Sequence, residues 1–339
     1  MERNNVGFMF RIRPLLGLLL IIFCLAGCSV SEQTTPVSGT EDGKLYIGVS
    51  FPTTQLNYRR TMLDLLEDYA AEHTDTMEFM IRDADSSQEQ QNQDLEEMIN
   101  AGVDGIILIP YTMEGEMSMI QYGIEKDIPI LTLDNTVTTS SQARTIGYVG
   151  ADHELMGRQA GELLIASLEK RFGDKESWKV LYLTGVPNSS GAVDRDKGIR
   201  SVLEADSRIE IVAEYNGEFT LEKARSIMED CLLVYPDLDG VICQNDLMAE
   251  GVCQALDAAD RTGEIAIVGI DGMRTVVERI AAGQMDGTVI QYPSMILDAV
   301  QRMEDYLGGA RTLTYNTFEE TTPIDDGNAA DYLADDLPW

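Results

Sequence analysis

Eleven residues of this chain have the types and positions to hold a polyhydroxylated ligand: Ser50, Thr54, Asn57, Tyr58, Asp134, Asn135, Arg195, Phe219, Asn245, Asp271 and Gln291. Most stand at or just past the end of a β-rich run. Ser50 closes LYIGVS, with Thr54, Asn57 and Tyr58 a few positions on. Asp134 and Asn135 follow PILTL, Asn245 follows GVICQ, Asp271 follows IAIVGI and Gln291 ends GTVIQ; Arg195 comes after the loop that follows KVLYLTG, and Phe219 after IEIVAEY. Carboxylates, amides and a guanidinium are planar groups that make paired hydrogen bonds, and sugar hydroxyls both donate and accept. The C–H face of a sugar ring packs on an aromatic wall, so this mixture suits a sugar. There are only two histidines, His73 and His153, far apart in sequence. That argues against a His-based metal site or catalytic triad.

The elements that must position these residues alternate along the chain. Strand-like runs fall at 45–50, 77–81, 105–109, 129–133, 145–150, 179–185, 209–215, 240–244, 265–270 and 287–291, with helical stretches between them. One such stretch carries Met62, Leu65, Leu66, Tyr69 and Ala70 at three- and four-residue spacing, which makes a single buried face. Strands apolar throughout, separated by amphipathic helices, predict parallel sheets covered on both sides. Ten strands are too many for one compact sheet of this type, and a split near 148–152 gives two doubly wound α/β lobes. Ligands of such sheets sit beyond the carboxyl ends of the strands, which is where the candidates fall. Each also has a bland reading: Asp134 and Asp271 as turn or helix caps, Asn245 as an N-cap, Phe219 as core, Arg195 as a solvated helix residue.

With those residues in view, the sequence resembles the type I periplasmic sugar-binding proteins of the ribose-binding kind, over essentially all of 44–325. The matching stretches are the first strand ending in Ser50, DLEEMI (94–99) running into AGVDGIILIP (101–110), IPILTLDN (128–135) and YVGADHELMGRQAGE (148–162). Further on they are RDKGI (195–199), GVICQNDLMAEG (240–251), IVGIDG (267–272) and TVIQYP (288–293). The resemblance implies that Ser50, Asp134, Arg195, Phe219, Asn245, Asp271 and Gln291 line a sugar site. Two departures stand out. Ribose binders carry two adjacent aromatics after the first strand, where this chain has Leu56 and Asn57 followed by Tyr58; they carry Arg after the Asp of the fourth strand, where this chain has Asn135. Loss of that five-donor fork changes which hydroxyls are satisfied. The family fold passes between lobes three times, expected near 148–151, 291–293 and 318–322. That gives lobes of 44–148 plus 292–318 and 149–291 plus 319–339.

The amino-terminus reads separately. Arg11 and Arg13 precede an apolar run, Leu15 to Leu25, of signal-peptide length, and the run ends in Leu25-Ala26-Gly27-Cys28. This resembles a lipobox of bacterial lipoproteins, which implies cleavage after residue 27 and a thioether-linked lipid at Cys28. Residues 28–43 then read as a flexible tether. Of the other cysteines, Cys231, Cys243 and Cys253 form no CxxC pair; a Cys231–Cys253 bridge and buried free thiols both remain open.

At 339 residues, 44% hydrophobic and 24% charged, the composition fits a globular protein rather than a disordered or polytopic membrane chain. Its net charge of −33 repels phosphate backbones and argues against a nucleic-acid partner. The lactose-repressor family shares the two-lobed core, but here a lipoprotein leader stands where its DNA-binding helices would be. Asp83-Ala84-Asp85 begins like a calcium loop, yet Gln88 occupies the position that needs Gly, and no metal is expected. GVPNSSG (185–191) lacks the Lys of a phosphate cradle. The expectation is a monomeric, extracytoplasmic solute-binding lipoprotein without cofactor or catalysis. It would capture a monosaccharide and deliver it to the transmembrane permease of an ABC importer, held by its lipid on the outer face of the cell membrane, or in the periplasm of a two-membrane cell. The alternative is a sugar sensor that docks on a sensor kinase or chemoreceptor.

Overall fold

The computed structural model describes residues 43–173, 175–310 and 316–335. The leader 1–27, the lipidation position Cys28 and the tether up to residue 42 lie outside the described residues.

Six strands make one sheet: β1 (Leu45–Phe51), β2 (Met77–Asp83), β3 (Gly105–Leu108), β4 (Ile130–Leu133), β5 (Tyr148–Ala151) and β11 (Asn316–Glu319), in the order β11-β5-β4-β3-β1-β2. The second sheet holds β6 (Trp178–Thr184), β7 (Ile209–Asn216), β8 (Gly240–Cys243), β9 (Ala266–Val268), β10 (Gly287–Ile290) and β12 (Thr322–Asp325), in the order β12-β10-β9-β8-β6-β7. Pairing is parallel except between β10 and β12. The helices are α1 (Asn57–Glu72), α2 (Gln88–Ala101), α3 (Met117–Glu125) and α4 (Thr139–Gln142) in the first lobe. In the second they are α5 (His153–Phe172), α6 (Ser190–Leu203), α7 (Leu221–Val234), α8 (Asp246–Ala258) and α9 (Arg274–Ala281). The chain then returns through α10 (Met295–Leu307) to the first lobe and ends with α11 (Ala329–Ala334) in the second.

Both faces of each sheet are covered, which is why the strands lack polar alternation. In β3 and the residue after it, Ile107 and Ile109 pack with Met62 and Leu66 of α1 and Met295 and Met303 of α10. Ile106 and Leu108 pack on the other face with Leu95 and Met98 of α2 and Ile120 of α3. In the second lobe, Val241 faces α7 and α8, and Ile242 faces α5 and α6. Each such aliphatic side chain contributes on the order of 1.5–3 kcal/mol by leaving water.

Polypeptide crosses between the lobes after β5, after β10 and between β11 and β12. Two of the expected boundaries are corrected. Residues 149–151 complete β5 and Glu319 completes β11, so all four pair in the first sheet rather than the second lobe. Ladder hydrogen bonding between β4, β5 and β11 holds these residues in the first sheet up to the last residue before each crossing. The last two strands were not legible as strands, because β11 is a half-exposed edge (NTFE) and β12 contains Pro323. Cys231, Cys243 and Cys253 are buried free thiols, so no Cys231–Cys253 bridge forms.

Candidate ligand-binding site

The strand ends of both lobes face a shared cavity of about 320 Å³. That is the lower end of the range for small-molecule sites, roughly 300–1,000 Å³.

The first lobe's wall is built on Asp134, which follows β4 in a left-handed conformation (φ 60°) that Asp tolerates better than most residues. Its carbonyl accepts from the Tyr148 hydroxyl at 2.9 Å and lies 2.7 Å from His153 Nε2. Pinned this way, its carboxylate meets Arg59 Nη2 at 2.9 Å. Arg59 sits in the first turn of α1 beside Tyr58, whose ring lines the cavity while its hydroxyl contacts Met295 Sδ at 3.3 Å. Burial and the neighbouring Asp134 hold the Tyr58 phenol well above its usual pKa, so it stays neutral.

The second lobe's wall is organised by Arg195, which is 4% exposed and so must be fully paired. Its Nη2 bonds Asp271 Oδ1 at 3.0 Å, Nη1 donates to the Gln244 carbonyl at 2.5 Å, and Nε donates to His153 Nδ1 at 3.3 Å. The sequence puts it there through two glycines. A Cβ on Gly157 of α5 would stand 2.2 Å from the Arg195 carbonyl, and one on Gly198 of α6 would stand 2.1 Å from the Glu154 carbonyl. The two helices therefore touch backbone to backbone, and α6 is set at the depth that brings Arg195 into the cleft.

His153 bridges the walls: Nε2 donates to Asp134 of the first lobe and Nδ1 accepts from Arg195 of the second. Burial and the adjacent guanidinium push its pKa down to about 4, in keeping with a neutral ring. Asp271 also accepts from Gln291 Nε2 at 2.7 Å, on the crossing after β10. Beneath it, Asp246 accepts from the Gly272 and Met273 amides and the Thr288 hydroxyl, fixing the turn that follows Asp271. Burial raises the pKa of both carboxyls, helped by the charge of Asp271 at Asp246 and by that of Asp134 at Asp271. Asn245 is both an N-cap, accepting from Met248 N at 3.0 Å, and a cavity residue, donating to the Phe219 carbonyl at 3.2 Å. Phe219 packs over Gly185, where a Cβ would collide with the ring at 2.0 Å.

Eight of the eleven candidates therefore line the cavity: Tyr58, Asp134, Asn135, Arg195, Phe219, Asn245, Asp271 and Gln291. Three do not. Ser50 is wholly buried inside β1, accepts from Gln91 Nε2 at 3.1 Å and is not part of the lining. Thr54 turns its hydroxyl to the Asp83 carboxylate. Asn57 opens α1 on its exposed side, because the helical turn of about 100° per residue that carries Tyr58 inward carries Asn57 out. Arg59 and His153 were not among the candidates; they stand in the first turns of α1 and α5, and helix packing brings them to the cavity. The signal available was Arg59's place directly after Tyr58. Among the described residues, Arg59 Nη1 and Gln291 Oε1, a donor and an acceptor on two residues of the lining, are buried without a hydrogen-bond partner.

Two doubly wound lobes, three crossings and a polar cavity between opposed strand ends define a two-lobed binding protein of the type I periplasmic architecture. A family model described as periplasmic binding protein domain matches residues 47–310, and the chain belongs to that family. It is 25% identical over 297 residues to the ribose import binding protein RbsB of Bacillus subtilis (strain 168), covering 87% of this chain and 92% of that protein. To the D-ribose/D-allose-binding protein of Pseudomonas aeruginosa it is 27% identical over 280 residues, covering 81% and 85%. The crystal structure of a galactofuranose binding protein superposes with a TM-score of 0.81 at 22% identity, covering 87% of this chain and all of that one, which is a likeness of fold.

Proposed function

We propose that this chain captures a neutral monosaccharide between its lobes outside the cytoplasm and presents it to an ABC-type permease, without catalysing a reaction. The observation that carries the reading is one guanidinium paired with one carboxylate on each wall, Arg59 with Asp134 and Arg195 with Asp271. The two pairs cancel, and the exposed Glu218, also in the lining, is paired with Lys223, which leaves the cavity close to neutral. A sugar acid or phosphate would bury an unbalanced charge there, at a cost of several kcal/mol. A hydroxyl can accept from Arg59 Nη1 and donate to Gln291 Oε1, while Tyr58 and Phe219 offer apolar faces to the ring. Both sets of bonds form only when the lobes are together, which gives the ligand its preference for the closed form. Relatives named for ribose, for ribose and allose, and for xylitol support a pentose, hexose or polyol. The basic flank, apolar run and Leu-Ala-Gly-Cys of the leader support lipidation of Cys28.

The test is a thermal-shift panel of pentoses, hexoses and polyols. The matching ligand raises the melting temperature with occupancy, by about 2.7 kcal/mol of stabilisation at a hundred times Kd. A panel without any shift overturns the reading. For the anchor, Cys28→Ser should release the protein from membrane fractions, and retention would assign anchoring to the apolar segment itself.

A further inference from the structure

Asn135 follows Asp134 and lines the cavity, yet its polar atoms are engaged elsewhere. Its Nδ2 donates to the Pro110 carbonyl at 3.0 Å within its own lobe. Its Oδ1 accepts across the cleft, from the Gly191 amide at 3.2 Å and the Ser190 hydroxyl at 3.4 Å, both in the first turn of α6. The next residue continues the pattern: the Thr136 amide donates to Ser190 Oγ at 2.7 Å. Alongside, the Met113 amide donates to the Asn188 carbonyl at 2.9 Å. The first-turn amides of a helix have no partner within it, so Asn135 completes α6 from the opposite lobe, while Ser189 caps Ala192 from the same lobe. The fit is close, since a Cβ on Gly191 would stand 3.0 Å from Asn135 Oδ1.

We infer that Asn135, Thr136 and Met113 of the first lobe and Asn188, Ser190 and Gly191 of the second form a clasp that holds the lobes closed through protein–protein bonds alone. Asn135 is then a positioning residue rather than a ligand contact, and the first lobe's guanidinium is Arg59 instead. All four bonds join protein atoms, so they bias the free chain toward closure before a ligand arrives. Apparent affinity scales with the fraction of molecules already in the binding-competent form, so the clasp tightens binding of every ligand by the same factor.

Ser190 does not line the cavity and makes two of the four bonds, so Ser190→Ala is the primary variant. A net hydrogen bond shifts an equilibrium by about 2- to 13-fold, and the variant should open the free chain accordingly. Small-angle X-ray scattering of the unliganded protein should give a larger radius of gyration for Ser190→Ala and for Asn135→Ala than for the wild type, with circular dichroism unchanged. Hydrogen exchange on the unliganded wild-type chain needs no mutation: the Met113, Thr136 and Gly191 amides should be protected. Exchange of those three at free-loop rates, or radii identical among folded variants and wild type, overturns the clasp. These measurements do not depend on the sugar reading. Where a sugar is in hand, Ser190→Ala should weaken two different sugars by a common factor of up to about 10-fold, whereas a change in their ratio would make Ser190 a ligand contact.

Discussion

Arg59 Nη2 stands 2.9 Å from Asp134 Oδ2, joining the first turn of α1 to the end of β4 across the first lobe's half of the cavity. Both residues line the cavity, and the pair leaves Arg59 Nη1 buried without a hydrogen-bond partner among the described residues. A guanidinium thus reaches this wall from a helix, although the residue after Asp134 is an asparagine.

Removing that donor should weaken binding. Arg59→Ala and Asp134→Ala are each expected to cost about 1.5–3 kcal/mol of affinity, roughly 10- to 150-fold, since each loses charge-assisted bonds in a desolvated site. Arg59→Lys should recover only part, because an ammonium cannot hold Asp134 and a hydroxyl in one plane. Isothermal titration with the ligand from the panel checks this, and unchanged affinity in both alanine variants would remove this wall from the site.

Loss of Arg195 harms the fold as well as the site, because its guanidinium serves three buried partners. Arg195→Ala leaves Asp271 buried without its cation and the Gln244 carbonyl without its donor. Breaking a buried pair on one side costs about 3–5 kcal/mol, so both stability and affinity should fall. Asp271→Asn in the same background should restore part of the stability and none of the affinity, as read by denaturant melts and titration.

His153 predicts a pH signature. Its pKa in the folded chain, about 4, lies below the ordinary 6.5. Above 6.5 neither folded nor unfolded chain holds the proton, and the full contribution is present. As pH falls from 6.5 toward 4 the unfolded chain takes up a proton that the folded one refuses, and up to roughly 3 kcal/mol is lost. Asp246 and Asp271 act in the opposite sense, since their raised pKa values make the folded chain the better proton acceptor. The informative quantity is therefore the difference in melting temperature between wild type and His153→Gln against pH. Wild type should lose stability relative to His153→Gln as pH falls through this window, and parallel curves would mean that folding leaves the His153 pKa at its ordinary value.

Gly157→Ala should displace α6 through the 2.2 Å approach of its new Cβ to the Arg195 carbonyl. Overpacking of this kind costs about 1–3 kcal/mol, and here it also moves the guanidinium. Loss of ligand affinity in a chain that still folds is the expected result; a variant with native affinity would show that α5 and α6 can part without cost to the site.

The ten strong strands and the alternation that makes two wound lobes are legible in the sequence, because apolar periodicity and strand-end polarity are local properties. So were eight of the cavity residues, since parallel topology sends every strand end to the same mouth. Three things were not. Ser50, Thr54 and Asn57 sit beside the right strand, but direction and helical phase turn them away. Arg59 and His153 belong to helices, and only the packing of α1 and α5 against the sheets brings them to the cavity. Asn135 follows a strand and looks like a ligand residue, yet whether its amide meets a sugar or the first turn of α6 depends on how far the lobes close, a distance between segments that no local pattern encodes.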